Sequence, residues 1–203
     1  MIAIIDYNMG NLQSVINAFE KMGGKAVLVK NPKELKQYQK AILPGVGAFG
    51  DAMKFLSKSG LDLAVKEFAN SGKPLLGICL GMQLLFKKSF EFGEHEGLGL
   101  IEGDVVMFDK SRFDELLKVP HVGWNSLKIV QKNPLLKDIN DGTYLYFVHS
   151  FHVQTSDKYV SAQTHYGYDF ASVVQKNNIF GFQPHPEKSH ENGLKIYKNF
   201  MEL

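Results

Sequence analysis

The sequence predicts an α/β protein, a single domain on a doubly wound, mostly parallel sheet flanked by helices. Three observations carry that reading. Short apolar runs alternate with helical runs through the first half of the chain. The second half is richer in short β-like runs, which predicts a mixed extension of the same sheet. The length, 203 residues, suits one domain large enough to bury most of its apolar surface.

Taken in order, Ile2–Ile5, Ala26–Val29, Ala41–Leu43 and Leu75–Ile78 read as parallel strands, with helices over Leu12–Met22, Ala48–Leu56 and Leu61–Ala69. After Gly97 come β-like runs at Gly103–Phe108, Leu145–Val148 and Tyr159–Thr164. Ile179–Gln183 reads as a late strand, and a helix near Gly193–Phe200 closes the chain. The charged stretch Phe108–Lys118 reads as a solvated loop or short helix, and there is no repeat, low-complexity stretch or long linker.

The only cysteine sits in Gly77-Ile78-Cys79-Leu80-Gly81, between the strand Pro74–Ile78 and the helix formers Met82–Phe86. A nucleophile on a strand-to-helix elbow needs flanking residues without side chains, supplied here two positions before and after the thiol. The helix that starts there would favour the thiolate. The alternative is a buried structural cysteine, because free cysteine often simply packs.

A base stands near the C-terminus in Pro184-His185-Pro186-Glu187. In extended backbone, which Pro186 favours at His185, positions i and i+2 face the same way, so Glu187 can orient the His185 imidazole. A surface His-Glu pair is the other reading. The apolar strand Ala41–Leu43 runs into Pro44-Gly45-Val46-Gly47, whose N–H groups could, with that of Leu80, form an oxyanion hole for acyl transfer. A phosphate-binding loop would need a lysine and a Ser or Thr that are missing, and a plain turn remains as a third reading.

Composition narrows the class. A net charge of +2 with 22% charged residues gives no argument for nucleic acid or a membrane, and a single cysteine excludes an internal disulfide framework. No run approaches the ~20 apolar residues of a membrane span, and the N-terminal run is too short for a signal peptide, so the cytoplasm is expected. His95, His165 and His190 lack metal-ligand spacing, so neither a metal nor a cofactor is expected.

Gly77–Gln83, Pro44–Gly47 and His185-Pro186-Glu187-Lys188-Ser189 resemble the class I (triad) glutamine amidotransferases. Ile5–Leu12, Pro120–Asn125 and Tyr146–Ser150 are similar, more narrowly, to the group that supplies ammonia to imidazole glycerol phosphate synthesis. The resemblance implies a flavodoxin-like class I amidotransferase domain over residues 1–203. It implies that Cys79 attacks the γ-amide of glutamine to give a thioester, His185 moves the protons and Glu187 orients it. Gln83 and His149-Ser150-Phe151 match positions that hold the amino-acid end of the substrate. The implied partner is a (β/α)8 cyclase subunit in a heterodimer, receiving the ammonia for histidine biosynthesis. Asn11, Trp124, Tyr146 and Lys188 match residues facing it, with core packing the alternative for Trp124 and a solvated charge that for Lys188. Pro184 stands where the resembled family usually has an aromatic residue, which predicts the loss of a ladder donor and an aromatic wall, and Val122 stands for a commoner methionine. The other functions open at this stage are delivery of ammonia to a surface-sugar synthase, a stand-alone γ-glutamyl hydrolase and a non-catalytic regulatory subunit.

Overall fold

The computed structural model describes all 203 residues. The first half runs β1 (Ile2–Ile5), α1 (Leu12–Lys21), β2 (Ala26–Val29), α2 (Pro32–Leu35), β3 (Lys40–Leu43), α3 (Phe49–Ser59), α4 (Leu61–Asn70), β4 (Leu75–Ile78) and α5 (Leu80–Leu84). The second half adds β5 (Lys88–Ser89), β6 (His95–Glu96), β7 (Asp104–Met107), β8 (His121–Ser126), β9 (Lys128–Ile129), β10 (Tyr144–His149) and β11 (Phe151–Gln154). It closes on β12 (Val160–His165), β13 (Asp169–Lys176), β14 (Ile179–Phe182) and α6 (His190–Glu202).

The strands β2-β1-β3-β4-β14 are parallel neighbours, and β13, β11 and β7 continue the sheet antiparallel to one another. The expected mixed sheet is present. Its parallel part is buried on both faces: in β1, Ala3 and Ile5 join one apolar layer while Ile2 and Ile4 join the other, as the two-residue period of a strand requires.

Three expectations need correction. Leu145–Val148 lies in β10, which pairs only with β8 in a separate two-stranded ribbon rather than extending the main sheet. The helix after Cys79 ends at Leu84 because the N–H groups of Leu85 and Phe86 turn back three residues, to Met82 and Gln83, tightening its last turn. Phe108 is buried rather than solvated, at the centre of a cluster with His149, His152, Tyr166 and Phe170, and only the rest of Phe108–Lys118 is loop and short helical turn. No helix is long and apolar enough to cross a membrane.

Candidate active site

The elbow exists as backbone geometry. Cys79 has φ 54° and ψ −112°, a left-side conformation that a residue with a side chain adopts only when its surroundings enforce it. The enforcement comes from close approach. A Cβ on Gly81 would lie 1.7 Å from the Leu43 carbonyl oxygen, and one on Gly77 would lie 2.6 Å from the Gly81 carbonyl oxygen. Only glycine lets β3, β4 and the first turn of α5 come this close. The Cys79 N–H donates to the Phe182 carbonyl at 2.7 Å, tying the elbow to the end of β14.

β14 then delivers the base. His185 Nδ1 donates to Glu187 Oε1 at 2.7 Å, and Tyr197 on α6 donates its hydroxyl to Glu187 Oε2 at 3.2 Å. The pair forms as expected, but by a different backbone: Pro186–Lys188 is a 3-10 turn, so Glu187 curls back under the ring instead of lying two residues along a strand. With Nδ1 occupied, the buried His185 Nε2 has no partner and is the nitrogen left to exchange a proton with the thiol. Burial, the largest single influence, opposes charge on His185. The neighbouring Cys79 and Glu187 outweigh it and push the pKa up to about 10.

Pro184 costs the sheet nothing. The Gln183 N–H still donates to Ser172 on β13 at 2.9 Å, and β14 ends at Phe182, so Pro184 lies beyond the ladder. The expected loss of a ladder donor is corrected.

Val46, Gly47, Cys79, Leu80, Gln83, His149, Ser150, Phe151 and His185 line one cavity of about 250 Å³. Gly45 lies beneath it, and Glu187 lies behind His185. The N–H groups of Gly45, Val46 and Gly47 donate to nothing within the chain, and that of Leu80 is an unpaired first-turn donor of α5. Another depression, about 320 Å³ between α2 and α4, is lined by Lys33, Lys36 and Lys73 but has no nucleophile beside a base.

The wall opposite runs from His149, at the end of the ribbon, through Ser150 into Phe151 of β11. Gln83 Nε2 donates to Phe151 O and to Gln183 Oε1, both at 3.0 Å, so its amide braces the 149–151 segment from below. His149 Nδ1 lies 2.8 Å from Phe151 O, which fixes that nitrogen as the donor and leaves Nε2 to accept from His121 Nδ1 at 3.1 Å. Both imidazoles are held neutral. Burial pulls the His121 pKa down to about 4 and that of His149 well below its usual value.

Sequence reasoning missed several members of the site. Glu91 also lines the cavity and takes the Phe49 N–H at 2.6 Å, a carboxylate carried on the loop between β5 and β6 with no motif around it. Ser189 accepts from the Tyr146 N–H and donates to the His185 carbonyl at 2.6 Å, and Tyr197 steadies Glu187 from a distant helix. Gln183, two residues before His185, could have been found from strand alternation: it packs its amide 3.7 Å from the Cys79 sulfur.

The positions matched to a partner face lie on the surface. β8 and β10 pair Trp124 with Tyr146 and Val122 with Val148, so these four share one face of the ribbon, and all are at least partly exposed. Trp124 is 45% exposed, which removes the core alternative. It stacks on His190 with ring centroids 5.0 Å apart and meets Tyr146 edge-on at 6.0 Å. Lys188 Nζ stands 5.7 Å from the Tyr146 ring, and Asn11 is exposed at the start of α1, which packs on the same 3-10 turn.

The family described as "Glutamine amidotransferase class-I" matches residues 3–203. The chain belongs to the class I glutamine amidotransferases. Among the relatives of this amidotransferase, a Wolinella succinogenes protein is 57% identical over the full length of both chains. One from Sulfurimonas denitrificans is 61% identical over 98% of this chain and 97% of its own. Both are named imidazole glycerol phosphate synthase subunit HisH. Solved structures share the fold at lower identity. A glutamine amidotransferase crystal structure has a TM-score of 0.76 at 18% identity, covering 100% of this chain and 98% of its own. Thermotoga maritima PurLQS has 0.76 at 22%, covering 99% and 97%.

Proposed function

We propose that this amidotransferase is the glutaminase subunit of an imidazole glycerol phosphate synthase, hydrolysing glutamine and passing ammonia to a (β/α)8 cyclase. The observation that carries the chemistry is the strained Cys79 elbow facing a His185 whose free nitrogen is Nε2 and whose other nitrogen is held by Glu187. In the first half-reaction Cys79 sulfur attacks the γ-carbonyl carbon of glutamine, and the developing oxyanion takes N–H groups from Leu80 and the Gly45–Gly47 loop. The C–N bond breaks as His185 gives its proton to the departing ammonia, leaving a γ-glutamyl thioester. Water then attacks the thioester with His185 as base, and glutamate leaves with the thiol restored. Gln83 and His149–Phe151 hold the amino-acid end, and the Glu91 carboxylate suits the substrate's α-ammonium group.

The ribbon face supports the partner assignment. Trp124, Val122 and Val148 expose apolar surface together with Tyr146, and aromatic residues in such patches are favoured at interfaces. A stand-alone hydrolase has no use for that face. The full-length relatives favour the histidine pathway over a sugar synthase as the recipient of ammonia, and the complete triad disfavours a non-catalytic subunit.

The test is glutamate release from glutamine by the chain alone and with a histidine-pathway cyclase and its ribulosyl ligand. A large rise on adding both is expected. In the Cys79→Ala variant release should vanish while synthesis from ammonia survives, and release that persisted would remove Cys79 from the role of nucleophile.

A further inference from the structure

Tyr7 takes no part in the triad, yet it is only 2% exposed and meets the oxyanion loop from below. Two residues past the end of β1, it donates its hydroxyl to the Pro44 carbonyl oxygen at 2.8 Å. The other side of the Pro44–Gly45 peptide is closed by the elbow. A Cβ on Gly45 would fall 2.3 Å from the Tyr7 hydroxyl and 3.0 Å from Leu80 Cβ, so the peptide is clamped between phenol and nucleophile turn. Met9, on the same β1–α1 segment, closes the far end of the loop: a Cβ on Gly47 would fall 2.9 Å from its methyl group. Between the two contacts the Val46 side chain is left outside, 41% exposed. Burial first, and Cys79 second, raise the Tyr7 pKa, which keeps the phenol a neutral donor.

From this geometry we infer that Tyr7 is a positioning residue for the oxyanion hole, its hydroxyl fixing the Pro44–Gly45 peptide so that the following N–H groups face Cys79. A peptide plane whose carbonyl is held cannot rotate without breaking that bond, and the donors beyond it inherit its orientation. The inference rests on the glutaminase reading proposed above, and deepens it.

The test compares wild type with Tyr7→Phe, each assembled with the cyclase. Three quantities are read: kcat and KM for glutamine, inhibition by glutamate γ-semialdehyde, and alkylation of Cys79 by iodoacetamide. The aldehyde adds to the thiol to form an adduct with its oxygen in the oxyanion hole, whereas alkylation needs only the sulfur. Losing an oxyanion donor outright costs roughly 100-fold or more, so loss of a group that only orients donors should lower kcat about tenfold. KM should stay within about twofold, aldehyde inhibition should weaken about tenfold, and alkylation and melting temperature should hold. Unchanged kcat overturns the assignment. So does a fall in kcat accompanied by equal losses in alkylation rate and melting temperature, which marks a structural role. Wild type inactive on glutamine would instead overturn the glutaminase reading on which this one stands.

Discussion

Replacing Glu187 by Gln removes a charge while keeping the shape of the site, and the consequence is readable in pH. His185 titrates near 10 against an ordinary value of 6.5. At about 1.4 kcal/mol per unit, that shift is worth roughly 5 kcal/mol between its two protonation states. Burial acts against the shift, so Cys79 and Glu187 together supply more than the net. If they contribute equally, loss of Glu187 removes at least half of it, roughly 2 units or about 2–3 kcal/mol. The sign follows from linkage: a folded pKa raised above the unfolded one stabilises fully below pH 6.5, and that contribution is lost as pH rises toward 10. In Glu187→Gln the loss should finish roughly 2 units lower. The His185 imidazole nitrogens can be followed by ¹⁵N NMR from pH 6 to 11, alongside urea denaturation midpoints across the same range. A variant that titrated His185 where wild type does would show that the carboxylate does not hold the imidazolium, and the triad argument would lose its third member.

Three further outcomes are expected. Gly81→Ala puts a methyl group 1.7 Å from the Leu43 carbonyl, so thermal melting should show a loss of roughly 3 kcal/mol or more; near-wild-type stability would contradict the close approach. Trp124→Ala, with the ring already 45% exposed, should cost folding about 1–2 kcal/mol rather than the 3–5 of a core tryptophan, yet weaken cyclase affinity about tenfold or more by titration calorimetry; the opposite pattern would restore the core reading. His121 and His152 have folded pKa values lowered to about 4, so the unfolded chain binds protons first as pH falls, and stability should drop between pH 6.5 and 4 by up to about 3 kcal/mol for each; His152→Gln should flatten that slope in urea titrations, and an unchanged slope would refute its neutral burial.

The parallel half of the fold is legible in the sequence because each of its strands is a short apolar run next to a helical one, and the elbow because its glycines lie within two residues of the cysteine. What escaped was held by long-range contact. The ribbon β8–β10 joins segments separated by a long loop, and its apolar spacing does not say whether it pairs with the main sheet or apart from it. Phe108 looked solvated because its neighbours in sequence are charged, while its neighbours in space are aromatic. Glu91 and Tyr197 reach the site from a loop and a helix whose local patterns carry no chemistry. His185 and Glu187 meet for a different physical reason than their spacing suggests: the turn, not the extended strand, makes the contact.

The division of the site between two kinds of support has a mechanical meaning. The nucleophile, the oxyanion loop and the base leave the carboxyl ends of β4, β3 and β14, three adjacent strands whose registers place Leu43 beside Gly77 and Ile78 beside Phe182. In parallel α/β sheets those ends are the stiff edge of a crevice, and here the distances among reacting groups are set by a buried hydrogen-bond ladder. The wall that holds the substrate's amino-acid end has two supports: His149 ends the ribbon, which shares no ladder with the sheet and alone would be only marginally stable, while Phe151 pairs with Met107 in the sheet itself. The ribbon is stitched to the catalytic turn at one residue: Tyr146 accepts from the His185 N–H at 2.8 Å and donates to Ser189 Oγ at 3.0 Å, while its side chain stands beside Trp124 and Lys188 on the outer face. A push on that face therefore meets the backbone of the catalytic histidine through Tyr146, and the nucleophile through Val148, whose carbonyl oxygen lies 3.9 Å from Cys79 Sγ. Ser189→Ala removes one of these stitches, and with it the hydroxyl's bond to the His185 carbonyl, while leaving the triad side chains in place. It should leave Cys79 alkylation unchanged and reduce the rise in glutamine hydrolysis on cyclase binding; an undiminished rise would mean that the outer face reaches the site by some route other than Tyr146.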